Sequence, residues 1–124
     1  MTILTIVLQS VLALMFLMAS SGKISGAKVQ VEGFKRWGLP QWFRVVTGLI
    51  ELVGAGALIV GYWDASWIAL GAVIIGITGI GGIITHIRAN DSMKETFMIV
   101  LLTIIAIVLY ALHASALSDF PGFN

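Results

Sequence analysis

The chain has 124 residues, is 59% hydrophobic and 10% charged, and carries a formal net charge of +1. Its mean hydropathy is +1.04, and a soluble domain carries roughly a quarter charged residues, so the composition excludes an ordinary water-soluble fold and points to lipid, not nucleic acid, as the partner. With no cysteine, thiol redox, disulfide exchange, Cys-ligated metal and lipid attachment through Cys are excluded together.

Residues 1–21 contain no charge. A cleaved signal peptide has a positive segment ahead of its apolar run and a small-residue cleavage site. Here the first basic residue, Lys23, follows the run, which predicts a retained first helix. Three further apolar stretches follow. Between 45 and 62 the single charge is Glu51, while 65–85 and 96–118 have none. Each has the roughly 20-residue length that crosses a bilayer as a helix. The predicted fold is an all-α integral membrane four-helix bundle, one domain over 1–124, with spans near 3–21, 42–62, 65–86 and 96–116.

The first connection has a pattern of its own. Ala27, Val31, Phe34 and Trp37 share one helical face, with Lys28, Glu32, Lys35 and Arg36 on the remainder. This predicts a short amphipathic helix lying in the interface. Gly38 ends it and Pro40 opens the second span.

Within the second span Arg44, Thr47 and Glu51 fall on one face. Glu51 lies about 12–15 Å from the helix start by helical rise. An ionisable group at such depth is a functional-site hypothesis by default. The alternative is a structural residue, either protonated or paired with Lys23 or Arg44. Lys23, Arg44, Thr47, Glu51 and His86 make the predicted polar cluster.

The turn "GYWDASW" and the third span come next. Gly71, Gly76, Gly79, Gly81 and Gly82 crowd the third span, and Gly48, Gly54, Gly56 and Gly61 the second. Small residues mark close helix contacts in membranes, so these two spans are expected to be the closest pair, with the first and fourth facing more lipid. Gly79, Gly81 and Gly82 together predict a wide place near that end of the third span. His113 stands at the far end of the fourth span, about 25–30 Å from His86 by bilayer dimensions. The two cannot share a metal, and no other metal-ligand spacing occurs.

All seven basic residues fall in the first and third connections or beside them. The positive-inside rule then places that face in the cytoplasm of a bacterial plasma membrane, with both termini outside. Phe34, Trp37 and Trp42 at that boundary, and Trp63 and Trp67 at the other, are read as interfacial anchors.

The stretches "SSGKISG", "FKRWGLP", "TGLIELVGAGALIVGYW" and "THIRAND", in this order, resemble the DoxX-like family of small four-helix bacterial membrane proteins. The likeness rests on Gly22 and Lys23, on Phe34 with Gly38, Leu39 and Pro40, and on Gly48, Glu51 and Leu52. The family takes its name from a membrane subunit linked to thiosulfate-to-quinone electron transfer, and many members carry an oxidoreductase label. The resemblance therefore implies an accessory subunit or oxidoreductase-associated component, with a quinone or other small hydrophobic ligand near Glu51 and His86 and a membrane or redox protein, or a second copy, as partner. No cofactor is attached to the chain and no residue is identified as catalytic. Eukaryotic relatives that look like assembly factors imply an alternative, a non-enzymatic interaction module. A small proton-coupled transporter is the third reading; small multidrug transporters place their Glu in the first helix, whereas here it is in the second.

Overall fold

A computed structural model describes residues 2–119. It has five α-helices and no strand among the described residues: α1 (Ile3–Ser25), α2 (Lys28–Arg36), α3 (Gln41–Val60), α4 (Ser66–Arg88) and α5 (Met93–His113), followed by a 3-10 turn over Ala114–Asp119. The four long helices are apolar enough to cross a membrane. α2 is the short amphipathic piece between the first two.

Local chemistry sets the helix ends. The Thr2 hydroxyl accepts from the Thr5 N–H and opens α1. The first helix runs four residues past its expected end, because Gly22 does not stop it and Gly26 does. Gly26 takes a left-handed conformation (φ 79°), and its N–H donates to the Gly22 carbonyl at 3.1 Å. Gly38 (φ 74°) closes α2 in the same way, and the Leu39 N–H donates to the Phe34 carbonyl at 2.9 Å. Ser92 caps α5 by accepting from the Glu95 N–H at 3.2 Å; the Ser-x-x-Glu spacing is that of a capping box.

The helices form a ring in which α1 lies along α3, α3 against α4 and α4 along α5, with a lighter α1–α5 contact closing it. The expectation that the second and third spans form the closest pair is corrected: α1–α3 and α4–α5 are the more extensive pairs. Glycines bring each of these pairs close. A Cβ on Gly48 would lie 2.8 Å from Lys23 Cβ and 3.0 Å from Ile24 Cγ1, so α3 meets the end of α1 with no room to spare. On α4, Gly79 and Gly82 are filled by Thr103 and Ile99 of α5. Gly54, Gly61 and Gly71 serve the α3–α4 seam, meeting Ile75, Ile68 and Leu58. Of the outer pair, α5 alone is markedly more exposed; α1 buries as much of its span as α3.

The two halves of the bundle differ. Leu12, Phe16, Leu58, Ile68, Ile75 and Leu109 are all 2% exposed or less and fill the half nearest the α3–α4 turn. The other half, bounded by α2 and the last turns of α4, is hollow.

The far end also contains a buried polar residue that the sequence gives little reason to notice. Gln9 is fully buried, and its Nε2 donates to the Leu58 carbonyl at 2.6 Å. The Tyr62 N–H turns to the Ile59 carbonyl, leaving the Leu58 carbonyl among the orphan acceptors of a helix end. Gln9 supplies the missing donor. Nearby, Thr5 Oγ1 and His113 Nε2 lie 3.2 Å apart and the Ser10 and Tyr62 hydroxyls 2.5 Å apart.

Candidate functional site

The hollow half encloses a cavity of about 490 Å³, within the roughly 300–1,000 Å³ range of small-molecule sites. Phe34, Phe43, Ile50, Ile74, Ile77 and Ile99 give it an apolar wall. Lys23, Thr47, Glu51, Thr78, Thr85 and His86 are its polar members. Gly81 and Gly82 also line it, and a Cβ at Gly81 would meet nothing within 4 Å. Its mouth faces sideways between α3 and α4, where Ile50 and Ile77 are 45% and 67% exposed. In a membrane that mouth opens to hydrocarbon.

Glu51 is 4% exposed. Its Oε1 lies 3.0 Å from Lys23 Nζ, an ion-pair contact outside the angular range of a hydrogen bond. Gly48 makes the pairing possible. Its missing side chain lets the last turn of α1 settle one helical turn away from Glu51. Arg44, the other candidate partner, goes elsewhere. It donates to the Lys23 main-chain carbonyl and, from Nε, to Gln41 Oε1 at 2.8 Å, and a cation at the α1 C-terminus complements the helix dipole. Of the five predicted cluster residues, Lys23, Thr47, Glu51 and His86 share the cavity, and Arg44 ties α3 to α1 outside it. Thr47 has spent its hydroxyl proton on the Phe43 carbonyl at 2.8 Å.

His86 belongs to a second polar group across the cavity. Its Nδ1 lies 2.5 Å from Asp91 Oδ2, the oxygen that also accepts from Trp37 Nε1 at 3.0 Å and Arg36 Nη2 at 3.3 Å. Burial works to raise the Asp91 carboxyl, but hydrogen bonds from Trp37 and His86 and the charge of Arg36 outweigh it and hold the group below the ordinary aspartate range. An ionised carboxylate only accepts, so Nδ1 is the donor. Asp91 is the residue that sequence reasoning missed. The signal lay in "THIRAND", but linking Asp91 to Trp37, fifty-four positions earlier, needs the folded chain.

Phe34 and Trp37, expected as interfacial anchors, turn toward the cavity, Phe34 buried and Trp37 half-buried. Phe34 is 3% exposed and packs edge-on against Trp37 and Phe43 at 5.3 and 6.5 Å. Trp37 meets the His86 ring edge-on at 5.1 Å. The reason is partnership: Asp91 takes the indole N–H, and Phe43 and His86 take the ring faces. Trp42 and Trp63 point outward at 67% and 81% exposure, and Trp67 is half-buried.

His86, Asp91 and Glu95 bring potential ligand atoms within 4.8 Å of one another. Arg36 already stands between the two carboxylates, 3.3 Å from Asp91 and 3.7 Å from Glu95, where a metal ion would have to displace it.

Comparison with known proteins shows the family. The family model described as DoxX-like family matches residues 7–109, a range that includes every cavity residue named above. A curated relative, "Uncharacterized protein YdgD" of Bacillus subtilis (strain 168), is 30% identical over 108 residues, covering 86% of this chain and 94% of that protein. No solved structure matches. With four membrane-length helices, a short helix between the first two and the family pattern running through the cavity walls, the chain is a multi-pass membrane protein and belongs to the DoxX-like family.

Proposed function

We propose that the chain binds a small hydrophobic ligand with a polar end, of which a quinone is the ring-bearing example, and serves as an accessory component beside a membrane oxidoreductase. The carrying observation is the cavity itself. An apolar wall with a lateral mouth meets a buried Glu51–Lys23 pair on one side and His86 on the other. A few convergent polar groups in an apolar pocket are the usual form of a ligand site. A ligand dissolved in the bilayer reaches the mouth without crossing water. Its polar end meets an ammonium and a carboxylate from Lys23 and Glu51, and His86 Nε2 accepts a proton from it or returns one. Asp91 and Trp37 hold the His86 ring for that task.

The seven basic residues, gathered on the α2 side of the bundle, support a cytoplasmic placement of the cavity end, with both termini on the outer side of a bacterial plasma membrane. A second reading, an interaction module that packs on another membrane protein, is favoured by Gly56 and Gly81. A Cβ at either would meet nothing of its own chain within 4 Å, and small residues with open space beside them suit close helix approach.

The test is mass spectrometry of the purified protein for retained small molecules, with titration of a short-chain benzoquinone in nanodiscs of zwitterionic lipid. Retention or saturable binding that weakens in Glu51→Gln supports the reading. An empty protein that binds no quinone, or binding unchanged in Glu51→Gln, sinks it.

A further inference from the structure

A second, smaller pocket of about 300 Å³ adjoins the apolar cavity at the end of α4. Trp37, Leu39 and Thr85 line both, so the two share a wall. Their chemistries differ. The smaller pocket is flanked by Arg36 and Arg88, and no acidic residue lines it.

The electrostatics of this corner are asymmetric. Arg36 is partly compensated, since Nη2 faces Asp91 and Glu95, though a guanidinium has five donors. Arg88 makes no ion pair among the described residues. The helix ends do not consume it either. The Thr85, His86 and Ile87 carbonyls accept from the Ala89, Asp91 and Asn90 N–H groups, and the Gly33, Phe34 and Lys35 carbonyls of α2 from the Trp37, Leu39 and Gly38 N–H groups. Two guanidinium groups, one with its donors uncommitted, line one hollow at the depth where a membrane-length helix ends. Planar guanidinium forks match phosphate oxygens in pairs.

We infer that the two pockets together take one amphiphile, a single-chain phosphate monoester, with its phosphate between Arg36 and Arg88 and its chain in the apolar cavity. This rests on the reading of that cavity as a hydrophobic-ligand site and names the class of its ligand. The shared wall fixes the geometry: Trp37 and Leu39 stand where headgroup meets chain. The cavity volume suits one ligand of small-molecule size. The headgroup recognised is a phosphate, supplied either on a lipid chain or free.

Isothermal titration of the full chain in nanodiscs of zwitterionic lipid separates these sources. The probes are dodecyl phosphate, dodecanol, inorganic phosphate and a short-chain benzoquinone. Dodecyl phosphate is expected to bind at least about ten-fold more tightly than dodecanol. In Arg88→Gln that preference falls to within about two-fold while dodecanol affinity is unchanged, and Arg88→Lys retains part of it. Arg88 is exposed, so these variants keep the fold. Equal affinity for the two alkyl probes, or a preference indifferent to Arg88, overturns the inference. Inorganic phosphate binding as tightly as dodecyl phosphate also overturns it and assigns the pocket to free phosphate. Dodecanol or quinone binding that survives in those cases leaves the hydrophobic-ligand reading standing. If neither binds, that reading falls and takes this one with it.

Discussion

Lys23 Nζ and Glu51 Oε1 lie 3.0 Å apart inside the bundle, joining the last turn of α1 to the middle of α3. Their side chains are 13% and 5% exposed, so neither charge has bulk water to fall back on. Breaking a buried pair by removing one partner costs about 3–5 kcal/mol, whereas replacing both by apolar groups is often neutral or better. Lys23→Met and Glu51→Leu should each lower the thermal midpoint of the purified protein, and the double variant should regain most of the loss. A double variant as unstable as the sum of the singles would show that the two residues act independently.

Asp91 accepts from Trp37, His86 and Arg36 and so locks the end of α2 to the α4–α5 turn. Its carboxyl is held below the ordinary value of 3.8. The sign follows from proton linkage. The unfolded chain binds the proton more readily, so the stabilisation is complete above the unfolded value and is lost as pH falls through the lower folded one. Asp91→Asn should remove this acid-sensitive step from the pH dependence of the thermal midpoint and leave the rest of the profile in place. An unaltered profile in the variant would mean that Asp91 is not the group being protonated.

These two pairs mark how far the sequence carries. The helices were legible because uninterrupted apolar runs of bilayer length have few other uses, and Glu51 because a carboxylate there has no cheap solvent. Choosing between Lys23 and Arg44 as its partner was beyond the sequence. The choice turns on Gly48, whose bare backbone draws α1 close while Arg44 is pulled to the Lys23 carbonyl. Phe34 and Trp37 have the composition of lipid anchors, and only the position of Asp91 and Phe43 in space turns them inward. Gln9 gives no signal in the sequence because the carbonyl that it satisfies lies forty-nine positions away.

Gly48 should tolerate no side chain. A Cβ there would meet Lys23 Cβ at 2.8 Å and Ile24 Cγ1 at 3.0 Å, both near the backbone of α1 and unable to swing aside. Overpacking of this kind costs about 1–3 kcal/mol. Gly48→Ala should destabilise the protein by that order in thermal or denaturant unfolding. Gly56→Ala on the same helix meets open space and should be neutral or mildly stabilising, since alanine is the better helix former. Equal effects at the two positions would refute close α1–α3 contact as the cause.

The cavity gives a last prediction that separates binding from folding. Thr78 lines it from α4 with its hydroxyl donating to the Ile74 carbonyl at 2.8 Å, so the side chain contributes a wall and no bond to another helix. Thr78→Phe would project a ring into space that the fold leaves unfilled. Filling a cavity commonly stabilises, by about 0.5–2 kcal/mol, so the thermal midpoint should hold or rise. Occupying the same space should weaken a short-chain benzoquinone or an alkyl probe by at least about ten-fold, equivalent to about 1.4 kcal/mol. Measured side by side in nanodiscs, retained stability with lost binding places the ligand in this cavity. Full binding in a stable Thr78→Phe protein would move it elsewhere, and the Glu51–Lys23 pair would then stand as a structural link between α1 and α3.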